Sequence, residues 1–257
     1  MRCALAIGAF DPTGRTGVAA DLRVFEALGV PGLALVTRLQ VDADDGAERR
    51  HLTPPRFLAA QLDALAREFP IGAVRLGELE RAPHAAVLVE RIRRRALPNV
   101  VMDMRLLDRE GRATLPNRVL ALVREGLPPA AVLALGALDE LRRLAGAGDA
   151  AVVEECAAQC RRWGLPAVLH WKSDRITLHT AAGPLVCATA STGSCTAEGA
   201  EGRRGSCFSP VLIPRSPAPS AVRISPARAA CSAAVTAYLA RGECLETAVR
   251  LAAEYTP

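Results

Sequence analysis

Short apolar runs alternate with amphipathic stretches along the first two thirds of the chain. The run at 4–7 is followed by a turn at 11–14, and then Val18, Leu22 and Phe25 recur at helical spacing. A strand, a turn and a helix in this order are the unit from which parallel sheets are built. The pattern therefore predicts an α/β fold with a mostly parallel sheet.

The same alternation continues toward the end of the chain. Further strands are predicted at 33–39, 73–76, 100–103, 131–135 and 167–170, and further helices at 58–69, 87–95, 119–123, 153–163, 229–239 and 245–255. Because these strands are apolar throughout, both faces of the sheet should be covered by helices. Runs at 175–180 and 185–188 flank Ala182-Gly183-Pro184, which predicts a hairpin at the edge of the sheet.

The length of the chain is that of one α/β domain. Half of its 257 residues are hydrophobic, so one large core can form and we expect a single domain over 1–257. The composition changes to Ser, Gly, Pro and Ala at about 189–225, where only 211–213 resembles a strand. We expect an irregular segment there.

Composition and charge exclude several classes of function. No apolar run approaches the roughly 20 residues that span a bilayer, so we expect a cytoplasmic protein without a membrane partner. A net charge of +5 with 4% aromatic residues argues against nucleic-acid binding. The eight cysteines are expected to be reduced, with Cys156 and Cys160 on the apolar face of a helix. The four histidines show no ligand spacing, so a metal site of protein side chains is not expected.

Several segments resemble a known family, the hydroxymethylpyrimidine and phosphomethylpyrimidine kinases of thiamine biosynthesis. They are ALAIGAFDPTGRTGVAADLRVFEALGV, FLAAQLDAL, RLGEL, VVMDMRLLDREG, AVLH and AAVTAYLARGECLETAVRLAAEY. The resemblance implies a ribokinase-like fold, a three-layer sandwich with helices on both faces of the sheet. It also implies ATP and Mg²⁺ as cofactors if the chain is active, because the family transfers the γ-phosphoryl group to a hydroxymethyl group. Members often form dimers, so a homodimer through the edge hairpin is possible.

The family's contacts to its pyrimidine substrate can be carried over one by one. They fall on Ala9, Thr16, Asp21, Asp42, Glu78 and Arg105. Glu78 and Arg105 replace apolar side chains of the family, and we expect them to pair, because a buried charge without a partner is costly. Two alternatives stay open: Asp42 could belong to a solvated acidic turn, and Asp21 could bond within its own helix.

The phosphate-binding parts of the family are altered in this chain. Its Gly-Thr-Gly-Cys turn falls on Pro226, Ala227, Arg228 and Ala229, where proline has no N–H and side chains replace both glycines. Similarly, the family's Lys-Gly-Gly-His becomes Trp171-Lys172-Ser173-Asp174. Lys172, the only lysine, is then either a nucleotide contact or a solvated side chain.

A second segment resembles the altered turn locally. In Ser191-Thr192-Gly193-Ser194-Cys195, the cysteine is a candidate for the catalytic position that activates the nucleophile, against the alternative of a surface loop.

These differences favour a divergent member that binds a small pyrimidine-like molecule. Loss of one electrostatic donor typically lowers a rate about a hundredfold or more, so we expect phosphoryl transfer to be weak or absent, as in a pseudoenzyme. The alternative is an active ATP-dependent kinase of hydroxymethylpyrimidine, of its phosphate or of a related heterocycle. One version of it acts on a pyridoxal-like ring with help from Cys195.

Overall fold

A computed structural model describes residues 1–42, 48–79, 81–103, 105–107, 113–172, 175–189 and 226–255. The strands are β1 Cys3–Phe10, β2 Gly32–Asp42, β3 Glu48–Leu52, β4 Ile71–Leu76, β5 Val100–Met102, β6 Ala131–Gly136, β7 Val168–Lys172, β8 Arg175–Thr180 and β9 Gly183–Thr189. The helices are α1 Gly17–Ala27, α2 Pro55–Glu68, α3 Ala82–Arg94, α4 Asn117–Gly126, α5 Leu138–Ala145, α6 Val153–Arg162, α7 Pro226–Arg241 and α8 Leu245–Tyr255.

The strands form one sheet in the order β3-β2-β1-β4-β5-β6-β7-β8-β9. From β2 to β7 all neighbours are parallel, whereas β3, β8 and β9 pair antiparallel at the two edges. The strand order reverses at β1, which lies between β2 and β4. The carboxyl ends of the six parallel strands therefore share one edge of the sheet, with the switch point at β1.

Two apolar layers cover the sheet. On one face, α1, α7 and α8 pack through buried side chains such as Phe25, Val235 and Val249. On the other face, α2 to α6 pack through side chains such as Leu62, Leu88 and Cys156. This confirms the predicted α/β sandwich with helices on both faces.

The predicted elements agree with the structure except at two places. The sequence pattern gave no strand between 39 and 73, but β3 forms there; its sequence ERRHL is polar because an edge strand needs no apolar face. Likewise, α5 was not predicted between 135 and 153, because its sequence LDELRRLA carries only one narrow apolar stripe. The hairpin at 175–188 lies at the sheet edge as predicted, and the strand-like run at 211–213 lies outside the described residues.

The described cysteines include the two that the helical spacing predicts to be buried. Cys156 and Cys160 are fully buried in the apolar core, as predicted, and the six described cysteines are free thiols. Among the described residues, no helix is both long and apolar enough to cross a bilayer.

The turn between β1 and α1 depends on Gly17, which has a φ of +67°. A Cβ atom at this position would lie 2.1 Å from the carbonyl oxygen of Ala9, far inside van der Waals contact. Only glycine fits this approach of backbone to backbone.

We expect Gly17→Ala to lower the free energy of unfolding by about 2 kcal/mol or more, since left-handed backbone costs roughly 1–2 kcal/mol before the clash is added. Urea denaturation measures this change. Gly8→Ala is the matched control, because a Cβ atom there meets Val18 at an ordinary 3.8 Å. Equal losses in the two variants would contradict this explanation.

Candidate functional site

The candidate residues cluster at the carboxyl edge of the parallel strands. Ala9 is near the end of β1, Glu78 follows β4, Arg105 follows β5 and Thr16 precedes α1. In open α/β sheets, ligands bind outside this edge, at the point where the strand order reverses. The sheet topology therefore makes the edge beside β1 and β4 the candidate site.

A buried arginine lies at the base of this edge. Arg75 of β4 contacts Asp21 of α1 at 3.0 Å and Asp103, directly after β5, at 2.7 Å. Its Nε donates to Ser232 Oγ of α7 at 2.8 Å, and the Ser232 hydroxyl lies 2.7 Å from Asp103 Oδ2. These four side chains, which we call the Arg75 network, are buried and join two strands to two helices.

Arg228 extends these contacts into a second group at the start of α7. Its Nε donates to Asp103 Oδ1 at 2.9 Å and its Nη2 to the carbonyl oxygen of Leu135 at 3.1 Å. Its Nη1 donates to the carboxylate of Glu140. We call Arg228, Asp103 and Glu140 the Arg228 corner; it closes the gap between the ends of β5 and β6 and the first turn of α7.

The two buried aspartates differ in their proton affinity. Burial raises the pKa of Asp21 to about 6, because Arg75 only partly offsets the loss of water and Asp103 repels a second negative charge. Burial also opposes ionisation of Asp103, but the charges of Arg228 and Arg75 and the Ser232 hydroxyl outweigh it and lower its pKa. Asp103 is therefore the permanent anion of the Arg75 network.

A second ionic cluster lies over the ends of β2 and β4. Glu78 pairs with Arg105 at 2.5 Å, as the sequence predicted, and with Arg38 at 2.8 Å. Arg38 also donates to Gln40 Oε1 at 3.0 Å from Nη2 and 3.2 Å from Nε. Glu78 and Arg105 remain 14% and 16% exposed, so this cluster borders the open side of the site.

The loop between β1 and α1 is ordered by Asp11. One oxygen of its carboxylate accepts from the amide and hydroxyl of Thr13 and the other from the amide and hydroxyl of Thr16. Burial alone would raise the pKa of Asp11, but these four hydrogen bonds hold it below its usual value. Thr16 is thus held in place beside the site.

The structure resolves the alternative for Asp21 and shows the position of Lys172. Asp21 bonds to Arg75 of another element, not within its own helix. Lys172 is exposed at the end of β7, on the face opposite Trp171, which packs against the layer of α1, α7 and α8. The side chain of Asp42 and the whole of Cys195 lie outside the described residues.

Two histidines are closer together than the sequence suggested. The rings of His170 and His179, on neighbouring strands β7 and β8, have centroids 6.4 Å apart. Burial lowers the pKa of both, so both are neutral at pH 7. Within the described ranges, no group of three or more His, Cys, Asp or Glu side chains is arranged to hold a metal ion.

Sequence reasoning missed most of the ionic partners. Arg38, Arg75, Asp103 and Glu140 were not singled out, and Arg228 was considered only as a replacement for glycine. One signal was available, because Arg75 interrupts the otherwise apolar strand IGAVRL, and a charge in a buried strand needs a partner. Which residues would provide that partner depends on the assembled sheet.

We expect Arg75→Met to lower the free energy of unfolding by about 3–5 kcal/mol, because it leaves buried Asp21 without its cation and Asp103 with only one of its two arginine partners. Chemical denaturation at pH 7 measures the loss. Arg91→Met is the control, since Arg91 pairs with Asp63 at 3.1 Å on the surface and such pairs contribute about 1 kcal/mol at most. A similar loss in both variants would contradict the assigned role of Arg75.

We expect the stability difference between wild type and Asp21→Asn to depend on pH. Because the folded pKa is about 6 and the ordinary value is 3.8, folded Asp21 binds its proton more tightly. The wild type therefore loses stability relative to the variant as pH rises from about 4 to 6, by about 3 kcal/mol at most. Urea denaturation from pH 4 to 7 tests this.

Asp63→Asn is the control of opposite sign, because the hydrogen bond from Arg95 lowers the pKa of Asp63. The stabilising contribution of the ionised Asp63 carboxylate is lost as pH falls. A difference for Asp21→Asn that stays constant over this range would refute the raised pKa.

Comparison with known proteins identifies a family. Residues 11–192 match the family described as phosphomethylpyrimidine kinase. A hydroxymethylpyrimidine/phosphomethylpyrimidine kinase of Escherichia coli is 32% identical over 158 residues, which cover 62% of this chain and 59% of that protein. The match thus spans less than two thirds of the relative's length.

Solved structures share the fold over nearly the whole chain. The phosphomethylpyrimidine kinase of Clostridium difficile 630 superposes with a TM-score of 0.76 at 19% identity, covering 100% of this chain and 98% of that one. A pyridoxal kinase of Bacillus subtilis, solved as an ADP complex, gives 0.76 at 22% identity and covers 99% and 90%. These likenesses confirm the ribokinase-like fold. With the family match over residues 11–192, they lead to one conclusion: the chain belongs to the phosphomethylpyrimidine kinase family.

Proposed function

We propose that this chain binds a small pyrimidine-like molecule at the carboxyl edge of its sheet and transfers phosphoryl groups weakly or not at all. The observation that carries the proposal is the side chain of Arg228, which is folded into the start of α7 and held there by Asp103, Glu140 and the carbonyl of Leu135. This is the position where the family resemblance requires a glycine-lined turn for the moving phosphate.

The engaged Arg228 is poorly suited to receive a phosphate. Its side chain is 11% exposed, and two carboxylates neutralise it. An anion that displaced Glu140 would leave a buried carboxylate without its arginine, which typically costs about 3–5 kcal/mol. A cost of this size, placed on the transition state, is enough to lower a rate by more than a hundredfold.

The part of the edge beside β2 and β4 carries polar groups that can bind a heteroaromatic ring. Glu78 and Arg105 are partly exposed and offer a carboxylate and a guanidinium side by side. Such a pair can accept from a ring amine and donate to a ring nitrogen. We infer that ring recognition lies here and that Thr16 and Ala9 border the same space.

The alternative is an active kinase with ATP and Mg²⁺. Two relatives support this alternative. The matched Escherichia coli protein is a hydroxymethylpyrimidine/phosphomethylpyrimidine kinase, and the Bacillus subtilis structure is a pyridoxal kinase bound to ADP. Under this alternative, Lys172 contacts the nucleotide and Cys195 assists catalysis. Those two roles, the ring contact of Asp42, the cytoplasmic location and the homodimer all remain predictions.

We expect turnover of hydroxymethylpyrimidine and of its phosphate with ATP and Mg²⁺ to be at least about a hundredfold slower than in the Escherichia coli relative measured side by side. Isothermal titration calorimetry should nevertheless detect binding of hydroxymethylpyrimidine, and Glu78→Gln should weaken it by about tenfold. Glu125→Gln, at an exposed glutamate near the end of α4, is the control for general loss of a carboxylate. Turnover near that of the relative, or no binding of either pyrimidine, would overturn the proposal.

A further inference from the structure

The two carboxylates of the Arg228 corner have all four of their oxygen atoms engaged. Asp103 Oδ1 accepts from Arg228, and its Oδ2 accepts from Arg75 at 2.7 Å and contacts the Ser232 hydroxyl at 2.7 Å. Glu140 Oε1 accepts from the amide of Leu106 at 3.1 Å. Its Oε2 accepts from the amide of Ala137 at 3.0 Å and from Arg228.

These contacts give Arg228 the position that a metal ion takes between protein carboxylates. Asp103 follows β5 and Glu140 lies in the first turn of α5, so the two carboxylates approach from different elements and meet at one guanidinium. Asp103 is 1% exposed and Glu140 is 8% exposed at the side chain. Two carboxylates this deeply buried require a cation between them.

We propose that the guanidinium of Arg228 is a built-in cation that takes the place of a divalent metal ion between Asp103 and Glu140. The ATP-dependent chemistry implied by the family uses Mg²⁺, and these residues do not fit that ion. Mg²⁺ requires about six oxygen ligands in near-octahedral geometry, several of them water. Here the oxygens already face arginine or amide donors, and the side chain of Arg228 fills the space between them.

A further hydrogen bond of the Arg228 guanidinium also favours arginine over a metal ion. The guanidinium also donates to the carbonyl oxygen of Leu135, at the end of β6, so one planar group joins β5, β6, α5 and α7. Arginine stays charged at every physiological pH, and the two carboxylates raise its pKa further against the opposing effect of burial. The cation is therefore permanent and covalently tethered to the helix that it orders.

This inference does not depend on which ligand the chain binds or on whether it has any turnover. It concerns one cation site, and metal binding alone tests it. Fast phosphoryl transfer would contradict the proposed function. Binding of a metal ion at the Arg228 corner of the wild type, without any nucleotide, would contradict the cation proposal, so the two failures can be distinguished.

The test uses Mn²⁺ alone, followed by electron paramagnetic resonance and by thermal denaturation with and without the ion. We expect Arg228→Met to acquire one Mn²⁺ site at least about tenfold tighter than any in the wild type, where tenfold corresponds to about 1.4 kcal/mol. Mn²⁺ should raise the melting temperature of this variant and leave that of the wild type unchanged. The double variant Arg228→Met with Asp103→Asn should lose the new site.

Two further variants test whether the positive charge of Arg228, and not only its volume, prevents metal binding. Arg228→Lys keeps a cation at the corner and should gain no Mn²⁺ site. Arg142→Met, which removes an arginine of α5 outside the Arg228 corner, should behave as the wild type. A folded Arg228→Met that gains no site would overturn the proposal.

The wild type also provides a test if Arg228→Met does not fold. A wild-type Mn²⁺ site that Glu140→Gln removes would overturn the proposal, because it would show that a metal already occupies the corner. Identical Mn²⁺ binding by the wild type and Glu140→Gln would support it.

Discussion

The ionic contacts of Asp103 hold the carboxyl edge of this protein together. Its carboxylate meets two guanidiniums and a hydroxyl that come from β4 and α7, and Arg75 links it further to α1. Arg75 and Ser232 are buried and Arg228 is only 11% exposed, so the attraction is strong, and removal of either arginine weakens the compensation of a carboxylate in a medium of low dielectric. The positions of α1 and α7 relative to the sheet therefore depend on these few charges as well as on the apolar layer around them.

The same interaction decides what the edge can bind. A parallel sheet opens a crevice at its carboxyl ends, and here the part of that crevice beside α7 is filled by Arg228. The part beside β2 and β4 remains polar and partly exposed, with Glu78 between Arg38 and Arg105. The edge of this chain therefore carries charged side chains beside β2 and β4 and an internal ion pair beside α7.

Local backbone constraints support this arrangement. Gly17 lets α1 begin within contact of β1, and Asp11 fixes the intervening loop through Thr13 and Thr16. As a result, α1 presents Asp21 to Arg75 at the depth where both are fully buried. The raised pKa of Asp21 follows from that depth, because Arg75 only partly offsets the loss of water and Asp103 repels a second negative charge.

Several features could be predicted from the sequence: the fold class, the strands and helices with long apolar patterns, the hairpin at the edge, the burial of Cys156 and Cys160 and the pairing of Glu78 with Arg105. These depend on periodicity, on turn residues or on a resemblance carried by local segments. It did not find β3 or α5, because a polar edge strand and a short charged helix lack a strong apolar period. The partners of Arg75 and Arg228 depend on tertiary packing, since residues more than a hundred positions apart, such as Asp103 and Arg228, become neighbours only when α7 packs against the carboxyl ends of the parallel strands. A charged side chain in an apolar strand predicts that a partner exists, but the identity of the partner is set by packing in three dimensions.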